Sequence, residues 1–195
     1  MNGLACLDIG QSTGGFTDCL LQHGARMVVG VDVGSAQLHP QLRDDGRVLC
    51  VEKVNARNLT AIDLIAACEN YTGAGGQFDP ENTAVESFVP AFDLVVGDLS
   101  FISQTLVLPA IVPFLKDGAS LLMLVKPQFE LQPGQVGKGG IVKDAAFYPV
   151  IEARLRAACA ELALAVTHWF DSPIEGGDGN REFFICARKP GAIVS

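Results

Sequence analysis

The sequence predicts an α/β fold built on a doubly wound, mostly parallel sheet with helices on both faces. Three observations carry this prediction. Short apolar runs recur along the chain, each bounded by Gly, Asp or Pro; the runs are apolar on both faces rather than alternating; and helical stretches separate them. Strands buried on both sides and joined by helices belong to a parallel sheet lying between two helical layers.

Taken in order, residues 4–9 (LACLDI), 27–33 (MVVGVDV), 48–51, 93–98 (DLVVGD) and 120–126 (SLLMLVK) read as the first five strands. Helices fall between them at 15–23, 36–43, 60–70 and 103–115, and a further helix covers 145–162. Strands near 164–170 and 181–188 (REFFICAR) complete a seven-stranded sheet. The link between those two, residues 171–180, is rich in Ser, Pro, Gly and Asp and too short for a parallel crossover, so the last strand pairs antiparallel. A dinucleotide-binding dehydrogenase has no need of such a terminal hairpin, whereas Rossmann-like methyltransferases end in one. Residues 71–91 read as an insertion, and residues 127–144 as a Gly- and Lys-containing lid or substrate loop on the edge where such sheets bind ligands.

With 195 residues and 49% hydrophobic content, the chain suits one domain over 1–195. It shows no signal peptide and no run of about 18 uncharged apolar residues, which predicts a soluble, cytoplasmic protein without a membrane partner. Six cysteines without a C-x-x-C pair read as buried thiols in a reducing compartment, and three histidines share no motif, so no metal is implied. The net charge of −8 opposes tight nucleic-acid binding by this chain alone. If RNA is the substrate, something outside the chain supplies much of the affinity.

The turn Asp8-Ile9-Gly10-Gln11-Ser12-Thr13-Gly14-Gly15 leaves the first strand and opens the first helix. Gly10 and Gly14 would let backbone approach a ligand, and the helix N-terminus beyond Ser12, Thr13 and Gly15 offers free N–H groups to an anion. In S-adenosylmethionine that anion is the amino acid carboxylate, and Asp8 is placed to meet the ammonium. The spacing differs from the G-x-G-x-x-G of pyrophosphate binders. Asp32, beside Val33, comes 24 residues after Asp8, at the end of the second strand, where a carboxylate can accept from both ribose hydroxyls. Asn55 and Ala56, just after the third strand, would lie near the adenine, although Asn55 also reads as a plain turn residue. The segment Gly134 to Gly139 contains a Gly-Lys pair but lacks P-loop spacing, which sets an NTPase aside.

Asp98 and Lys126 end the fourth and fifth strands, and an antiparallel last strand brings Glu182 to the same rim. A structural salt-bridge cluster is the alternative, but charges facing a ligand crevice are more often functional. The segments LDIGQSTGGFTDCLL, VVGDLSFIS, LLMLVKPQFE, VGKGGIVKD and GNREFF, in this order, resemble the TlyA group of FtsJ-like ribosomal RNA ribose methyltransferases, over nearly the whole chain. The resemblance implies a class I methyltransferase fold, S-adenosylmethionine as cofactor, and ribosomal RNA or ribosomal subunits as partner. It also implies a Lys-Asp-Lys-Glu tetrad acting on a ribose 2′-hydroxyl, whose last three members match Asp98, Lys126 and Glu182.

Those residue types suit the reaction, because the acceptor hydroxyl must be aligned and relieved of its proton. Lys126 is the candidate base or hydroxyl-positioning group, Asp98 would orient it and the cofactor, and Glu182 would hold Lys126 or a ribose hydroxyl. Lys138, Lys143 and Arg181 are candidate phosphate contacts. The sequence after Asp98 is Leu-Ser-Phe rather than the Pro-Pro-Tyr of many amino-group methyltransferases, and no Pro-Cys pair offers a nucleophile for cytosine. None of the seven residues before Asp8 is basic, so the tetrad's first lysine has no counterpart, and the small basic RNA-binding domain of the resembled proteins is not within these residues. The expectation is a catalytic domain without its N-terminal RNA-binding domain. The alternatives are a catalytically incomplete cofactor-binding protein and a haemolysin-like protein without methyl transfer.

Overall fold

A computed structural model describes residues 2–70 and 88–191. Seven strands form one sheet in the order β3-β2-β1-β4-β5-β7-β6. They are β1 (Ala5–Ile9), β2 (Met27–Asp32), β3 (Val48–Glu52), β4 (Phe92–Asp98), β5 (Leu115–Val125), β6 (Ala165–Asp171) and β7 (Phe183–Arg188). The first five run parallel, and β7 is antiparallel to β5 and β6 on either side of it. The principal helices are α1 (Gly15–Gln22), α2 (Pro40–Arg43), α3 (Ala61–Glu69), α4 (Gln104–Ile111), α5 (Pro127–Glu130) and α6 (Phe147–Glu161).

The alternation of side chains across a strand divides the core in two. Ala5, Leu7 and Ile9 of β1 face a cluster with Leu64 of α3, Leu108 of α4 and Leu155 of α6. Cys6 faces the opposite layer, with Leu20 and Leu21 of α1. Asp8 shares the parity of Cys6 and so enters the sheet on the α1 side, where Thr17 of α1 receives it. Local signals fix the helix ends. Thr60 and Asp63 close a reciprocal cap on α3, and Ser103 caps α4.

Several boundaries differ from the sequence reading. The helix expected over 36–43 is confined to Pro40–Arg43, because proline pre-sets the first helical turn and His39 caps it. The helix expected to 115 ends at Ile111 and tightens into a 3₁₀ turn over Val112–Phe114. β5 therefore starts at Leu115, with an irregular register against β4 before the pairing resumes at Ser120. β7 begins at Phe183, which leaves Glu182 just before the strand. Cys19 is exposed, and Cys50 and Cys186 are half-buried, so only Cys6, Cys68 and Cys159 are buried thiols. The expected 71–91 insertion lies outside the described residues except at its end, 88–91.

Candidate active site

The carboxyl ends of β1, β2 and β4 frame a cleft of about 440 Å³, within the range of small-molecule sites. Seven of the residues singled out from the sequence, Gly10, Ser12, Asp32, Val33, Asn55, Ala56 and Asp98, line it. Gln37, Val54, Ser100, Phe101 and Ile102 also line it, and sequence reasoning missed them. The only signal for Ser100 and Phe101 was their position in the turn after Asp98. Thr13, Gly14 and Gly15 lie instead along a neighbouring groove with Asp18, His39 and Arg47.

The turn's two glycines at positive φ, Gly10 and Gly14, each have protein neighbours where a Cβ would stand. At Gly10 (φ 83°) a Cβ would come within 2.4 Å of the Asp98 carbonyl oxygen. At Gly14 (φ 100°) it would strike Leu42 and Leu38 at 2.3 and 2.7 Å. Both glycines let the turn nest against the sheet and α2. Beneath the turn a buried chain of hydrogen bonds holds its shape. The Gln11 side-chain amide donates to the Thr17 hydroxyl at 3.0 Å, and Thr17 donates to Asp8 at 2.7 Å. Gln11 fits because Gly30 has no side chain, since a Cβ there would lie 1.9 Å from the amide carbon.

Asp8 is 1% exposed, with one carboxylate oxygen unpartnered. Burial pushes its pKa up to about 6; the Thr17 hydrogen bonds oppose the shift, and Asp98 and Asp32 add to it. Asp32 accepts from the backbone N–H of Ser12 and of Gly34, both at 2.7 Å, and so ties the turn to the end of β2. Each of its oxygens keeps further lone pairs for a ligand. The Asn55 side chain accepts from the Arg57 N–H at 3.0 Å, capping the 3₁₀ turn Ala56–Asn58 while lining the cleft.

Lys126, one residue past β5, reaches back to the end of β4. Its ammonium pairs with Asp98 at 2.5 Å and donates to the Ser100 hydroxyl at 3.1 Å. Glu182 is 6% exposed and lies against Gly176. Burial raises its pKa, Lys126 pulls it down, and Asp98 and Asp178 push it up. Asp98, Lys126 and Glu182 thus converge, with Lys126 ion-paired to Asp98 and in electrostatic range of Glu182. Phe101, with φ 64° and 89% exposed, lines the cleft with its ring 4.8 Å from that of Phe129.

Lys138 and Lys143 are exposed in the loop after β5. Asn180 pins that loop, accepting from the Val142 N–H and donating to the Gly140 carbonyl. Arg181 is already engaged, with Asp171 at 2.7 Å and its guanidinium over the Tyr148 and Phe183 rings.

The sheet order, with its antiparallel β7 and cleft at the carboxyl edge, defines the Rossmann-like methyltransferase fold. A Methanosarcina mazei SAM-dependent methyltransferase shares it at 16% identity, with a TM-score of 0.61 over 98% of this chain and 94% of that one. More specifically, residues 1–189 match the FtsJ-like methyltransferase family, and the chain belongs to it. It is 42% identical over 191 residues to the 16S/23S rRNA (cytidine-2′-O)-methyltransferase TlyA of Mycobacterium tuberculosis, covering 95% of this chain and 60% of the relative. A solved Lactococcus lactis chain that carries a hemolysin name is 36% identical, with a TM-score of 0.81 over 97% of this chain and 80% of that one. The chain thus spans about 60% of the length of the curated relative. Among the described residues no helix is long and apolar enough to cross a membrane.

Proposed function

We propose that residues 1–195 form one S-adenosylmethionine-binding domain that methylates ribose 2′-hydroxyls of ribosomal RNA in the cytoplasm. One observation carries the reading: the Lys126 ammonium is held by Asp98 and Ser100, two residues that line the same cleft as Asp32, and acts electrostatically on buried Glu182. The donor set suits the cofactor. Asp32 has lone pairs for a ribose diol, Val33, Val54 and Ile102 supply apolar walls for a flat base, and Asp98 places negative charge toward a cationic methionyl end, with Asp8 buried beneath the turn. When bound, S-adenosylmethionine supplies an activated, electrophilic methyl group.

The chain's own residues then have to align an alcohol and take its proton. Lys126 can hold the hydroxyl oxygen by donating to it, or accept the proton when neutral. Asp98 fixes the direction of the ammonium. Glu182, biased by burial toward its protonated form, supplies a second proton site beside Lys126. The proton released by the hydroxyl is thereby shared within the Asp98, Lys126, Glu182 group and passes to solvent. The activity named for the Mycobacterium tuberculosis relative supports ribosomal RNA as the acceptor.

The test is transfer of labelled methyl groups from S-adenosylmethionine to ribosomal subunits, comparing this chain, an N-terminally extended version and Lys126→Ala. The variant should lose about a hundredfold or more in rate while retaining cofactor binding. If Lys126→Ala matches its parent, the catalytic assignment is wrong. Cofactor binding without methylation by either parent would identify a binding protein rather than an enzyme.

A further inference from the structure

We propose that Glu130 is a positioning residue that sets the geometry of the Lys126 site by clamping the turn after β4 to the turn after β5. The inference rests on the functional reading above. Glu130 is 3% exposed and closes α5, four residues after Lys126. One carboxylate oxygen accepts from the Gln104 N–H at 2.7 Å; the other accepts from the Ser103 hydroxyl at 2.6 Å and from Arg154 of α6 at 3.1 Å. Arg154 also donates to the Glu130 main-chain carbonyl.

A carboxylate taken from water into a core is costly unless fully partnered, and an apolar residue there would pack without that cost. What the acid adds is a fixed link. Ser103 and Gln104 begin α4, five and six residues after Asp98, so the segments leaving β4 and β5 meet on one side chain. Between the strand ends and this clamp lie the contacts that build the site: Lys126 to Asp98, Lys126 to Ser100, and Phe101 to Phe129. Phe101 sits in the left-handed region, a conformation a bulky residue keeps only when its surroundings enforce it. The Asp98–Lys126 pair anchors one side of that strained turn and the Glu130 clamp the other. Gln104 adds a third tie, donating to the Leu124 carbonyl of β5 at 2.6 Å.

Glu130→Gln tests this, because the amide keeps the shape but turns one acceptor into a donor facing Arg154 and Ser103. Ser103→Ala removes one partner and leaves the acid, and serves if the amide variant folds poorly. The readout is competitive acylation of each lysine by an amine-reactive reagent in the 195-residue protein, resolved by mass spectrometry. Lys126 should react about tenfold faster in Glu130→Gln, the equivalent of one lost charge-assisted hydrogen bond. Lys116, paired with Asp93 at 2.9 Å away from this rim, should be unchanged. Cofactor affinity should also hold, while methyl transfer falls in kcat rather than in KM. Unchanged Lys126 reactivity in both variants overturns the proposal, as does a parallel rise at Lys116, which would mark general loosening. Whether Lys126 matters for methyl transfer is read separately by Lys126→Ala, so the two failures appear in different variants.

Discussion

Asp8 carries opposite demands in the free and ligand-bound protein. Its pKa rises from 3.8 to about 6 on folding, so the native state favours the protonated form more than the unfolded chain does. Stability from this group is fully present below the unfolded value and is lost as pH rises through about 6. At pH 7.5 the ionised, half-partnered carboxylate is therefore destabilising by roughly 2–3 kcal/mol. Asp8→Asn, which can still accept from Thr17, should raise the melting temperature of the cofactor-free protein by about 5 °C at neutral pH, with the gain shrinking toward pH 4.5. The same variant should bind S-adenosylmethionine more weakly, and should lose the decline in affinity that the parent shows as pH falls through about 6. Calorimetric melting and titration across pH check both, and a less stable variant at pH 7.5 contradicts the account. Asp8 was legible as a site residue from its place at a strand end. Its burial was not, because that depends on strand parity and on the Thr17 hydroxyl nine positions away.

The cofactor turn and the helix it opens show where sequence reading stops at the scale of elements. A glycine-rich turn after a strand reads directly as a ligand loop, but which glycines serve the ligand depends on neighbours from other elements. Gly30, inside β2 and unremarked in the sequence, is the glycine whose missing side chain houses Gln11. Gly15→Ala, with nothing within 4 Å of its Cβ, should leave stability within about 0.5 kcal/mol and cofactor affinity unchanged. Gly30→Ala should expel Gln11, cost about 2 kcal/mol and weaken cofactor binding about tenfold through the loosened turn. Reversed effects in urea unfolding and cofactor titration would instead support the glycine roles expected from sequence. The shortened α2 and the early start of β5 had a different cause. Apolar residues before Pro40 and after Ile111 fit a helical period, but they are used in turns and an irregular strand whose register only the sheet can fix.

Across the whole molecule, the period and length of the apolar runs were enough to read the sheet, its terminal hairpin and the edge that holds the site, since strands buried on both faces allow few other topologies. The distribution of charge was less legible, because pairing is a property of the fold. Of the three cations expected to meet phosphates, Arg181 is shared with Asp171, just as the candidate base Lys126 is held by Asp98. Lys138 and Lys143 remain exposed on a loop pinned by Asn180, on a chain of net charge −8. The contact with RNA offered by this chain alone is therefore a few charges wide. Binding of a ribosomal RNA fragment should be weak, and its affinity should fall with salt at a logarithmic slope of about −1 to −3, set by one to three displaced counterions. Fluorescence titrations between about 50 and 200 mM salt measure that slope. A slope near −6 or steeper would require a broad basic surface, against the chain's net charge of −8. Lys138→Ala and Lys143→Ala together should flatten the slope by about two, and an N-terminal extension that supplies RNA affinity should steepen it while leaving the Lys126 dependence of methyl transfer unchanged.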